Sequence, residues 1–215
     1  MIRNVVFDLG NVLISFLPSD YLLKKNYPST IRNTILTDIF ASDEWKMLDN
    51  GDITVKEATE AIAAKSTLKR EEIALVFSFR TEIMFPIDDN VRLLPELKKR
   101  GFKLFFLSNF HLDTYELVKN DYYFFRYFDG GVISSEVKLS KPDPEIYSLL
   151  LEKYSLKADE CLFIDDTGEN VVGAEKAGMT GLFTGGSQKI VSEIERKLEI
   201  KLLFSAMGHP KNYFG

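Results

Sequence analysis

Apolar residues gather in short runs, each followed at once by polar or turn-forming residues, and these runs set the outline of the chain. Val5-Val6-Phe7 rises to Asp8, and Leu9-Gly10-Asn11-Val12-Leu13 turns away from it. A β-branched run of this kind predicts a buried strand with Asp8 at its C-terminal edge. Similar strands are predicted over 102–107, ending in Ser108-Asn109, over 131–134, over 161–164, ending in Asp165-Asp166, and over 180–184. Between them the apolar spacing turns helical. Helices are predicted over 90–100 (with Pro95 in an early turn or a kink), 111–120, from Asp143-Pro144 onward, 167–177 and 188–198. Gly101 and Gly178 sit where helices should stop.

The stretch from 15 to 86 has a different texture. Pro18-Ser19-Asp20 offers a helix start, and Ile31, Ile35, Leu36 and Ile39 recur at helical spacing. A short helix is expected over 43–50 with a turn at Gly51, then a capping box from Thr54 to Glu57, then a helix over 70–84. Strands alternating with helices predict a doubly wound parallel sheet, a Rossmann-like α/β core. The expected division is a core of 1–17 and 87–215 with a small helical cap of 18–86 inserted after the first strand. Two hinges are expected, near 15–18 and 86–88.

At 215 residues and 45% hydrophobic, the chain can bury one core with an insertion. Its net charge of −5 argues against a general nucleic-acid or membrane-surface binder. Cys161 stands alone in an apolar run and reads as a core thiol. The first residues run into a strand without a signal-peptide layout, and no apolar run approaches the roughly 20 residues that span a bilayer. A cytoplasmic protein is expected. The tail from 208 to 215 has no readable pattern, and His209 within it gets no role.

Four chemical signals therefore stand in order at strand ends: Asp8, Ser108-Asn109, Lys141 in the run Lys141-Pro142-Asp143-Pro144, and Asp165-Asp166. Each has a bland reading as a turn carboxylate, a helix cap or a surface lysine; together they resemble the four motifs of the haloacid dehalogenase-like hydrolases. The insert, through Trp45, Leu48-Asp49, Gly51 and Ile53-Thr54, also resembles the helical cap of that family's sugar-phosphate phosphatase branch. The resemblance implies an Mg2+-dependent phosphatase acting on a small phosphorylated metabolite, such as a sugar phosphate, through an aspartyl-phosphate. Asp8 would be the nucleophile. Ser108 and the Asn109 backbone would hold phosphoryl oxygens, and Lys141 would neutralise charge. Asp8, the Gly10 carbonyl and Asp166, supported by Asp165, would hold the metal.

One position departs from the family pattern. Most of its phosphatases carry a general acid two residues after the nucleophile, where this chain has Gly10. His111, just past the second motif, reads as a structural or cap-facing histidine. Rival readings are a 2-haloacid dehalogenase, which needs no metal, and a catalytically weak binding homologue.

Overall fold

In the computed structural model, residues 1–185 and 190–204 are described. The expected helix start at 188, the 208–215 tail and His209 lie outside them. Strand β1 (Asn4–Phe7) takes the centre of a five-stranded parallel sheet. Its partners are β4 (Lys103–Ser108) on one side and β6 (Cys161–Asp165) on the other, with β5 (Gly130–Ile133) and β7 (Thr180–Phe183) at the edges, in the order β5-β4-β1-β6-β7. Two further strands, β2 (Ile14–Phe16) and β3 (Met84–Pro86), lie outside this sheet.

Alternation along β1 sends side chains to both faces of the sheet. Val5 and Phe7 join the larger apolar cluster, while Val6 packs with Phe105, Leu107, Val132, Ile146, Tyr147 and Phe163 on the other face. Cys161 is buried in this second cluster, where burial pushes its thiol up to about 11. It is a core thiol.

Helices α1 (Pro18–Lys24), α2 (Ser29–Ile35), α3 (Asp43–Asn50), α4 (Val55–Ala63) and α5 (Arg70–Ser78) fill the insert. The apolar spacing from Ile31 to Ile39 is indeed helical, but its second half, Leu36–Phe40, relaxes into a π turn. Thr54 and Glu57 form the reciprocal capping box, with Glu57 N–H donating to the Thr54 hydroxyl and Thr54 N–H to the Glu57 carboxylate. The last insert helix is shorter than the apolar pattern predicts. It stops at Ser78, where the Arg80 guanidinium donates to the Phe77 carbonyl and satisfies an orphan acceptor at the helix end.

Met84, expected in that helix, belongs to β3, which pairs antiparallel with β2. The two connections between core and insert, where the hinges are expected, thus pair as one hydrogen-bonded ribbon. Its ends are fixed by Leu17 N–H to the Ile83 carbonyl at 3.0 Å and Ile87 N–H to the Leu13 carbonyl at 2.8 Å.

The core continues with α6 (Asp88–Val91), α7 (Leu93–Lys99), α8 (Leu112–Asp121), α9 (Ser134–Val137), α10 (Pro144–Lys153), α11 (Gly168–Lys176) and α12 (Ile190–Leu198). A single helix was expected over 90–100. It is broken at Arg92 because Pro95 has no N–H to give to the Val91 carbonyl. No described helix is long and apolar enough to cross a membrane.

Candidate active site

Strand register brings the chemistry together. Phe7 is level with Phe106 of β4 and Ile164 of β6, so Asp8 stands level with Leu107 and Asp165 at the C-terminal edge. Asp8 N–H donates to the Ile164 carbonyl at 2.8 Å, fixing that level. Ligands of open α/β sheets bind at this edge.

Lys141 reaches this edge from the loop before α10, its side chain 1% exposed. Its Nζ lies 2.9 Å from Oδ1 of Asp8 and 2.6 Å from Oδ2 of Asp165. What holds it there is the side chain of Asn109: Oδ1 accepts from Lys141 N–H and Nδ2 donates to the Lys141 carbonyl, both at 2.9 Å. The Ser108 side chain stands beside the Asp8 carboxylate and pulls its pKa down.

The two adjacent acids are in different states. Asp165 is fully buried, and its oxygens accept from Lys141 Nζ, from Thr167 N–H at 2.8 Å and from Asn170 Nδ2 at 3.1 and 3.2 Å. Asp166 is half-buried and lines the cavity, with the Asn11 side chain beside it. Asn11 sits at φ 51°, which frees its Oδ1 to accept Phe16 N–H at 3.2 Å. Carboxylate oxygens of Asp8, Asp165 and Asp166 lie within 4.8 Å of one another. Asp8 Oδ1 is buried, and apart from the Lys141 ion pair it has no aligned hydrogen bond among the described residues. A hard, all-oxygen set with an under-satisfied buried oxygen fits Mg2+, with Asp8 and Asp166 as the ligands free to hold it.

Charge in this pocket shifts its acids. Burial pushes the Asp8 carboxyl up to about 6, against the pull of Lys141, with Asp165 adding repulsion. Asp166 is raised too, chiefly by burial, with the Asn11 hydrogen bond opposing. Burial works against the Lys141 ammonium, but Asp8 and Asp165 outweigh it and raise its pKa.

A cavity of about 250 Å³ opens over these groups. Asp8, Gly10, Asn109, Lys141 and Asp166 form its floor; Ile14, Phe16, Trp45, Met84, Phe110, Asp49, His111 and Thr114 line the rest. Gly10 has room: a Cβ there would meet only Asp8 Oδ2, at 3.9 Å. A second cavity, about 490 Å³, lies among Met1–Asn4, Arg100–Lys103 and Tyr154–Lys157 and carries none of the strand-end carboxylates.

Asp8, Ser108, Asn109, Lys141, Asp165 and Asp166 are therefore all brought together. Sequence reasoning missed the side-chain roles of Asn11, Asn109 and Asn170, and the approach of Asp49. Only Asn11 carried a local signal, an Asn in a tight turn after a strand.

The family model for haloacid dehalogenase-like hydrolases matches residues 2–178. The sesquiterpene phosphatase of Aspergillus oryzae is 27% identical over 90% of this chain and 95% of its own length. Several other curated relatives, among them the bifunctional epoxide hydrolase 2 of Mus musculus, are longer proteins, of which the chain spans 19% to 33%. In fold, the chain is similar to a HAD family enzyme of Bacteroides thetaiotaomicron in complex with magnesium and inorganic phosphate. That likeness has a TM-score of 0.70 and 22% identity, over 90% of this chain and 99% of that one. It is also similar to the L-2-haloacid dehalogenase of Xanthobacter autotrophicus, with a TM-score of 0.67 and 21% identity, over 94% of this chain and 85% of that one. The family match runs through all four strand-end motifs and the insert between the first two, so the chain belongs to the haloacid dehalogenase-like hydrolases.

Proposed function

We propose that this hydrolase is an Mg2+-dependent phosphomonoesterase that acts on a small phosphorylated metabolite through an aspartyl-phosphate on Asp8, with residues 18–86 as its cap. One observation carries the reading: buried Asp8 and Lys141 and the cavity-facing Asp166 meet beneath one cavity. Asp8 attacks phosphorus while Lys141, Ser108 and the Asn109 N–H hold the phosphoryl oxygens as their charge grows. Asp8, the Gly10 carbonyl and Asp166 would hold Mg2+, which would supply positive charge beside the nucleophile and the phosphoryl group. Asp165, fully engaged with Lys141, Thr167 and Asn170, keeps the lysine aimed.

The alternative chemistry at such a nucleophile is dehalogenation of a 2-haloacid. Three carboxylates against one ammonium leave this site at −2. A site of that sign repels either anion until a cation is bound, and its acidic set suits a divalent cation that a phosphate would share and that dehalogenation does not need. For the alcohol part, the apolar wall of Ile14, Phe16, Trp45, Met84 and Phe110 supports a hydrocarbon leaving group, as does the sesquiterpene phosphatase relative. Asp49, His111 and Thr114 support a sugar instead.

A phosphate-release screen over sugar, prenyl and aryl phosphates, with and without Mg2+, tests the proposal. Release that needs Mg2+ and vanishes in Asp8→Asn is expected. Metal-independent turnover, or halide release from 2-haloacids in place of phosphate release, would overturn it.

A further inference from the structure

The phosphatase reading leaves one chemical role without a residue. Expelling an alkoxide needs a proton, and position 10, where a general acid would sit, has no side chain. Across the cavity, the loop after β4 ends in His111, the residue before α8. Its side chain is 4% exposed and lines the same cavity as Asp8. Nε2 lies 3.1 Å from Oδ1 of Asp49 but out of line for a hydrogen bond, and it has no other partner among the described residues. Trp45 packs against the ring at 4.4 Å between centroids. Asp49 belongs to α3 of the cap, so the pair spans the cap–core boundary.

That boundary is built to hold the pair. The Ser134 hydroxyl of α9 donates to the Asp49 carbonyl, and the Ser140 hydroxyl donates to Asn50 Oδ1 at 2.8 Å. Gly51, at φ 75°, closes α3 so tightly on the core that a Cβ would come within 2.5 Å of the Ser135 carbonyl oxygen. Arg80 ties the insert to α8, donating to Thr114 Oγ1 at 2.7 Å and pairing with Asp113. The charged groups around the imidazole are thus Asp49 from α3, Arg80 and Asp113 beside α8, and Asp8, Asp166 and Lys141 across the cavity.

We propose that His111, held against Asp49 when the cap is docked, is the acid and base of the reaction, in place of a residue at position 10. The inference rests on the phosphatase reading. Nε2 is the nitrogen turned to Asp49, so the proton that moves is the one on Nδ1. As Asp8 bonds to phosphorus and the ester P–O bond breaks, the departing oxygen takes that proton and leaves as the alcohol, with His111 neutral. Water then attacks the aspartyl-phosphate and its proton returns to Nδ1. The bond from phosphorus to Asp8 breaks, freeing inorganic phosphate, the Asp8 carboxylate and protonated His111.

The test compares two esters in rapid-quench kinetics with Mg2+: 4-nitrophenyl phosphate, whose phenolate leaves unaided, and a primary alkyl phosphate, whose alkoxide does not. In His111→Asn, alkyl ester cleavage should fall about 10²–10⁴-fold. Nitrophenolate should still appear as a burst of one equivalent, followed by slow turnover, because only the second step has lost its base. Asp49→Asn should lower alkyl cleavage in the same sense by a smaller factor, and it provides the second arm should His111→Asn melt below the assay temperature. Adding Gly10→Asp to His111→Asn should restore alkyl cleavage by about tenfold or more, since position 10 has room for a general acid. Equal losses on both esters, or no loss on either, would overturn the proposal and leave the phosphatase reading standing. Absence of phosphate release in the wild type from either ester would instead sink the phosphatase reading and this proposal together.

Discussion

Replacing Lys141 with methionine keeps the length of the side chain and removes the ammonium that lies 2.9 Å from Asp8 and 2.6 Å from Asp165. The charge of the site changes from −2 to −3, with Asp165 fully buried and Asp8 nearly so. Removing one partner of a buried ion pair costs about 3–5 kcal/mol, mostly the penalty of the charge left behind. For a chain of this size that is a drop of roughly 6–20 °C in melting temperature. Part of the cost is relieved by protons. In the wild type, Asp8 is raised from 3.8 to about 6, so the folded state binds a proton the unfolded chain does not; the resulting stability is present at low pH and lost as pH rises through about 6. Without Lys141, the opposing pull on Asp8 is gone and the proton binds at still higher pH. Between pH about 7.5 and about 5, one extra proton stabilises the folded variant by up to about 3 kcal/mol, against about 1 in the wild type. The stability gap should therefore narrow by about 2 kcal/mol on acidification. Urea unfolding followed by circular dichroism, with chelator present at both pH values, measures it. A gap below about 1 kcal/mol at neutral pH, or one that widens as pH falls, would refute the reasoning.

Three further outcomes are expected. Because Mg2+ competes with the proton on Asp8, its affinity, read from Trp45 fluorescence or calorimetry, should be about tenfold weaker at pH 5 than above pH 7. Asp166→Ala should fold normally and lose Mg2+ binding, whereas Asp165→Ala should also melt lower, because it strands Lys141 and Asn170; the reverse ranking in paired melts and titrations would exchange their roles. Gly51→Ala should loosen α3 from Ser135, raising amide exchange at α3 and α9 and lowering turnover while the sheet stays protected.

What was legible in the sequence was whatever a strand makes local. Asp8, Ser108 and Asp165 each end or follow an apolar run, and a parallel sheet necessarily gathers such ends at one edge, so the site floor could be read before the fold was seen. Lys141 was readable only through its neighbours, because what positions it is the Asn109 side chain, and Asn109 alone looks like a helix cap. The β2–β3 ribbon was hidden because strands of three residues show no periodicity and Met84 continues an apolar helical pattern. The end of α5 turned on an arginine side chain reaching back to Phe77, a contact no spacing rule reveals. The approach of Asp49 to His111 depends on how α3 docks on α9, which is tertiary packing.

That docking and the ribbon have a joint consequence for the cap. Paired through Ser15 Oγ to the Phe85 carbonyl at 3.0 Å and through the β2–β3 ladder, the two connections would move together in any displacement of the insert. On the far side the insert is joined to the core by the Ser134–Asp49, Ser140–Asn50 and Arg80–Thr114 hydrogen bonds. At about 0.5–1.5 kcal/mol each, these three contribute about 1.5–4.5 kcal/mol to holding the insert on the core. Because one of the three holds Asp49, the same docking sets the approach of Asp49 to His111. Turnover then depends on the cap even for substrates too small to touch it, and the exchange and rate changes in Gly51→Ala should move together.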